Sequence, residues 1–213
     1  LLSDTGCVDA TDATMPASGL IPYAPGAPFW SDDAAKNRWL AIPDGTTVSV
    51  DGSGDFVFPQ GTILVKNFER GGDLIETRLF MRHSGANDVW AGYTYRWNDT
   101  QTDAERVVGG ATLEAGGSDW IYPSEAQCLE CHTAAAGRSL GLEIGQLNNT
   151  LMYPSTGRSA NQLATLDGVD VIAPVGDPAG LNAFPDPFGS APLEERARAY
   201  LHTNCSGCHR PGT

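Results

Sequence analysis

Apolar and polar positions alternate with a period of two through much of the first 120 residues. Residues 46–50, 56–58, 62–68, 74–83, 89–97 and 105–108 are short runs rich in β-branched and aromatic side chains. They are separated by Gly52-Ser53-Gly54, Gly71-Gly72 and Ser84-Gly85-Ala86-Asn87, and Gly116-Gly117 follows the last of them. Strands bounded by such turn signals predict an antiparallel sheet or sandwich. Tyr93, Tyr95 and Trp97 fall on one face of their strand under this period. Residues 1–45 are irregular and rich in Pro, Gly and Asp. A short helix is expected over 31–39, capped by Ser31 with Asp32 and Asp33 at its positive end. Phe29, Trp30 and Trp39 are expected to pack on the sheet, with stacking on a cofactor edge as the alternative.

Beyond residue 132 the period lengthens and weakens. Segments 140–147 and 161–166 read as short helices, and 174–192, with five prolines, reads as a linker lying over a surface. Residues 192–201 form a clear helix, with Pro192 in the first turn and Glu194 and Glu195 at its start. The expected fold is therefore mainly β (antiparallel sheet or sandwich) in an N-terminal domain over 1–135, followed by an irregular α-helical part. Within that part, 136–191 carries short helices and linker, and 192–213 carries the terminal helix.

The chain has 213 residues, 26 acidic against 13 basic, and a net charge of −13. Phosphate binding wants clustered Lys and Arg, so nucleic acid is not an expected partner. An acidic surface suits a basic redox protein instead. No apolar run of about 20 residues is present, so no membrane span is expected. With no signal peptide either, the chain reads as a mature, soluble segment.

The chemistry-bearing pattern is Cys128-Leu129-Glu130-Cys131-His132, repeated as Cys205-Ser206-Gly207-Cys208-His209. In a Cys-x-x-Cys-His stretch two thiols can attach to the vinyl groups of one haem, and the adjacent imidazole can ligate its iron. Two copies imply two haem c groups, with His132 and His209 as proximal ligands and a periplasmic or extracellular location. A zinc site and a redox dithiol are the alternatives. The two Cys pairs lie 77 positions apart, where a zinc ribbon spaces them by about 15–20. No βαβ pattern surrounds either pair, as a thioredoxin-like dithiol would want. Cys7 is left over and is expected to be a free or solvent-exposed thiol, with an intermolecular disulfide as the alternative.

An electron-transfer haem normally takes a second axial ligand. Met152, His202 and His83 are the candidates for the distal positions. Only four residues follow His209, so either the chain continues or another subunit covers the second haem. Self-association, or another subunit at that end, is the expected partner mode.

Residues 199–209, Ala-Tyr-Leu-His-Thr-Asn-Cys-Ser-Gly-Cys-His, resemble the start of a class I cytochrome c, in which a helix leads into the haem site. Phe58-Pro59-Gln60-Gly61-Thr62-Ile63-Leu64-Val65-Lys66, Trp90-Ala91-Gly92-Tyr93 and the first Cys-x-x-Cys-His together resemble the β-sheet cytochromes. These include cytochrome c′-beta and the hydroxylamine-oxidising cytochromes with a lysine-cross-linked haem. That resemblance implies a haem at the edge of a β-sandwich, and makes Lys66 a candidate haem contact or cross-link. Ile21-Pro22-Tyr23, Trp30-Ser31-Asp32, Ile75-Glu76-Thr77-Arg78, Trp97-Asn98-Asp99 and Gly145-Gln146-Leu147-Asn148 resemble an uncharacterised bacterial family of exported dihaem cytochromes. One-electron transfer is the activity these resemblances imply. A haem enzyme of peroxidase-like or hydroxylamine chemistry, with an open distal site at the first haem, is the alternative.

Overall fold

The structure, a computed structural model, describes residues 1–85 and 89–210. In chain order the strands are β1 (Ile21–Pro22), β2 (Ala35–Ala41), β3 (Ser49–Val50), β4 (Phe56–Val57), β5 (Ile63–Arg70), β6 (Asp73–His83), β7 (Val89–Trp97), β8 (Ala104–Arg106), β9 (Ala111–Ala115), β10 (Ser118–Tyr122), β11 (Thr150–Tyr153) and β12 (Arg158–Asn161). The helices are α1 (Glu125–Cys131), α2 (Ile144–Leu147), α3 (Gln162–Gly168) and α4 (Leu193–Cys205). The architecture is mainly antiparallel β, with helices concentrated toward the C-terminus. Two compact units form, the first from Leu1–Pro22, Ser31–Ala41 and Gln60–Glu130, the second from Tyr23–Trp30, Ile42–Pro59 and the chain from Cys131 onward. Two segments of the expected β-rich domain, Tyr23–Trp30 and Ile42–Pro59, thus belong to the second unit.

The first unit is built on one six-stranded antiparallel sheet of order β1-β2-β5-β6-β7-β8, with the β9–β10 hairpin beside it. Two of its hairpins follow from glycine pairs. Arg70 pairs with Asp73 and Ala115 with Ser118, leaving the two-residue loops Gly71-Gly72 and Gly116-Gly117, all four with positive φ. That is the type I′ turn matching the twist of its strands, and only glycine adopts it without strain.

Alternation divides the sheet into two chemically distinct faces. Val65, Leu79, Tyr95 and Trp97 form one, and Leu2, Cys7, Val8 and Ala13 from the N-terminal segment pack on it as a core. Tyr93 joins them, so the three aromatics of β7 share a face as the period predicts. The opposite face carries Arg38, Lys66, Arg78 and Thr94 directly opposite one another on β2, β5, β6 and β7.

Several local expectations are corrected. Residues 31–39 are not a helix: Asp32 and Asp33 turn the chain in left-handed geometry, with φ of 46° and 60°, and β2 then pairs along β5. Pairing that buries Leu40 and half-buries Trp39 outweighs the local capping signal. The strand expected at 46–50 shrinks to β3, which pairs with β4 in the second unit. Ala86 and Asn87 of the expected turn lie outside the described residues, as does Thr213. Cys7 is a free thiol, and it is buried rather than exposed because it belongs to the sheet's core. Phe29 and Trp30 are about half exposed, while Trp39 packs against the sheet's core.

In the second unit, Leu142, Leu147, Leu163, Leu166 and Ile172 are buried. Two fully buried amides organise the irregular backbone around them. Gln146 accepts from the Ala27 N–H at 2.9 Å and donates to the Thr203 hydroxyl at 2.7 Å. Gln162 accepts from the Ala24 N–H and donates back to the Ala24 carbonyl. Asn161 caps α3 by accepting from the Ala164 N–H.

Candidate haem-attachment sites

The first Cys-x-x-Cys-His begins on α1, a helix that Ser124 and Gln127 start with a reciprocal cap. The Gln127 N–H donates to the Ser124 hydroxyl at 3.3 Å, and the Ser124 N–H to the Gln127 side-chain carbonyl at 2.9 Å. Cys128 and Cys131, three apart on this helix, project from neighbouring positions. Cys128 is half-buried and Cys131 exposed, and none of the five cysteines forms a disulfide. Cys128 lies against Gly92 of β7 so closely that a Cβ there would sit 2.6 Å from its sulfur. Gly92 therefore opens the space that the thiol occupies.

Gly92 pairs with Phe80, which places Cys128 on the sheet face of Lys66 and Arg78. Phe80 stacks on Trp90 with ring centres 5.0 Å apart. Arg78 donates twice to the fully buried Glu76 carboxylate, at 2.7 and 2.8 Å, and the Trp120 indole donates to it at 2.8 Å. The Lys66 ammonium and the Arg78 guanidinium each lie 4.6 Å from the centre of the Phe68 ring. Burial first, then Arg38, Arg78 and Lys36, hold the lysine well below its usual range, and Glu76 opposes them. Burial also pushes the Cys128 thiol up. A redox dithiol needs the opposite shift, a lowered thiol pKa.

The boundary between units falls inside the motif, after Glu130. In the second unit Arg138, at a φ of 64°, returns the chain to His132. His132 Nδ1 lies 2.5 Å from the Arg138 carbonyl oxygen, and the Arg138 guanidinium donates to the His132 carbonyl at 2.9 Å. A carbonyl only accepts, so Nδ1 carries the proton, and in the neutral ring Nε2 holds the lone pair. A metal-binding imidazole is normally anchored this way, through its other nitrogen.

The second motif leaves the C-terminal end of α4. The Cys208 and His209 N–H groups donate to the Cys205 carbonyl at 3.1 and 2.8 Å, so the five residues continue as a helical turn. Cys205 is half-buried, and Cys208 and His209 are exposed. Polar contacts fix the helix end: Thr203 donates to the Ala27 carbonyl at 3.0 Å, and the Trp30 N–H donates to Asn204 at 3.1 Å. His202 Nε2 lies 2.8 Å from Glu143, with Phe184 against its ring. Arg210 donates to Asp55 at 2.8 Å. The Glu143 contact raises the His202 pKa, burial opposes it, and Asp55 and Arg210 act with opposite signs.

The other candidates are placed as follows. His83 is odd in register with Phe80, so it points to the face opposite Cys128, where it meets the Tyr93 hydroxyl at 2.9 Å. His202 is engaged by Glu143. Met152, on β11, is 54% exposed and fills no core gap. Lys66 shares the Cys128 face.

No protein-family model, curated protein or solved structure matches the chain. Among the described residues, no three His, Cys, Asp or Glu side chains converge as metal ligands. A four-ligand zinc site is therefore not assembled there, whereas haem attachment asks each motif only for two thiols and one imidazole. The thiol pair of each motif, held in no disulfide, the His132 tautomer and the unpaired buried Thr94 hydroxyl fit that group. Arg138, which orients His132, and the Arg38–Lys66–Arg78–Thr94 row escaped sequence reasoning. Adjacency hinted at the first, but the row needs strand register.

Proposed function

We propose that this chain is an exported dihaem c-type cytochrome that transfers single electrons in the periplasm or outside the cell. The observation that carries the reading is the His132 imidazole, held through Nδ1 by the Arg138 carbonyl immediately after two cysteines that form no disulfide. Cys128 and Cys131 would hold one haem and Cys205 and Cys208 the other, with His132 and His209 as proximal ligands. Each haem, when bound, supplies a reversible one-electron iron couple.

The chain's own residues bind and orient. Arg138 fixes the ring plane and tautomer of His132. The Ser124–Gln127 cap starts the helix that presents both thiols. Thr203, Asn204, His202 and Arg210 tie the second motif to its own unit on both sides. Orientation of this kind limits rearrangement when the charge on the site changes. Phe188, Leu193 and Leu201, exposed around α4, the helix that leads into the second motif, support a redox protein partner along that helix. No helix among the described residues is long and apolar enough to cross a membrane.

The test is a pyridine haemochrome assay and redox titration of protein produced with export and haem attachment. Two covalently held haems per chain are expected, and Cys131→Ala and Cys208→Ala should each remove one. Protein carrying no haem under those conditions would sink the reading.

A further inference from the structure

The sheet face that receives Cys128 concentrates positive charge in an acidic chain. Lys36, Arg38, Lys66, Arg78, Arg82 and Arg96 share it by strand register, out of 13 basic residues in all. Three of them, Arg38, Lys66 and Arg78, stand directly opposite one another on adjacent strands. Like charges so placed repel and destabilise the sheet. Lys66 and Arg78 both reach the ring of Phe68, so their charged heads are no farther apart than twice 4.6 Å. Glu76, which holds Arg78, is an acid within the same face.

The same register continues to Thr94, which is 2% exposed and whose hydroxyl has no hydrogen-bond partner. A buried hydroxyl left unpaired costs free energy that a bound acceptor would recover. Thr94 lies two residues from Gly92, the position against which Cys128 rests.

We infer that Arg38, Lys66, Arg78 and Thr94 form a binding row for carboxylate groups. Such groups have two sources. One is the haem at Cys128, whose two carboxylate side chains would be anchored here; this source rests on the haem reading above. The other is a small free acid, which does not. In both, the carboxylate oxygens accept from the Thr94 hydroxyl and from the cationic heads, and the charge repulsion along the row is relieved.

The test uses the exported, purified protein, with Lys66→Gln, Arg38→Gln and the near-isosteric Thr94→Val. Haem per chain is counted first. A Cys205→Ala/Cys208→Ala background then isolates the first haem, its midpoint potential is measured, and sodium acetate is titrated while thermal unfolding is followed. If haem carboxylates occupy the row, Lys66→Gln and Arg38→Gln lower the potential, because a positive charge that favoured the reduced state is gone. Acetate then leaves unfolding unchanged. If a free acid occupies it, acetate raises the unfolding temperature of the parent protein. Lys66→Gln and Thr94→Val then weaken that response about tenfold or more, with the potential unmoved. Thr94→Val keeps the test open if removing a cation prevents folding. Two haems with neither response overturns the row and leaves the haem reading standing. An acetate response without haem does the reverse.

Discussion

Gly92 is where a single missing side chain makes room for the Cys128 thiol of the first motif. A methyl group there would lie 2.6 Å from the Cys128 sulfur and 2.8 Å from its Cβ, closer than packed atoms come. Gly92→Ala is therefore expected to destabilise the first unit by about 1–3 kcal/mol and to lower haem occupancy at Cys128. Thermal unfolding and haem per chain measure the two effects. His202 makes a second residue-level prediction. Its pKa is raised by Glu143, so its pairing contributes fully below the unfolded value of 6.5 and is lost as pH rises through the higher folded value. Unfolding temperature should fall with increasing pH across that window, and Glu143→Gln should flatten the dependence. A slope that survives the substitution would assign it to other groups.

The elements show what the sequence discloses and what it hides. The Gly71-Gly72 hairpin and helix α4 were legible, because a glycine pair between alternating runs and acids behind a leading proline act locally. Helix α3 was legible as a short helical segment, and the structure adds its Asn161 cap. Strand β2 was not. Ser31, Asp32 and Asp33 look like a helix start, yet the following residues gain more from pairing with β5, and the acids serve a turn instead. Asp33 takes a left-handed conformation there and is exposed. Asp33→Gly should relieve that strain and raise stability by up to about 1 kcal/mol, where a helix cap would lose stability. Denaturant unfolding reads the sign directly. The two Cys-x-x-Cys-His motifs are visible in residue order alone. Their surroundings were not, because the Arg38–Lys66–Arg78–Thr94 row exists only once four strands are in register.

At the scale of the whole molecule, the net charge of −13 and the cations gathered on one sheet face act over different ranges. The overall charge would steer a basic partner from a distance, an attraction screened by salt, whose Debye length is about 10 Å at 0.1 M. Electron exchange with a basic cytochrome should therefore slow as ionic strength rises from 10 to 300 mM, in a stopped-flow experiment. An unchanged rate would remove charge steering from the account. The clustered cations instead act locally, at the Cys128 face.

The most direct measurement of the central claim is haem per chain, by pyridine haemochrome assay with mass spectrometry of protein exported from cells that attach haem. Two covalently bound haems, falling to one in either Cys131→Ala or Cys208→Ala, is the result the account predicts. A chain of unmodified mass, with the four motif cysteines still reactive to alkylation, would contradict it.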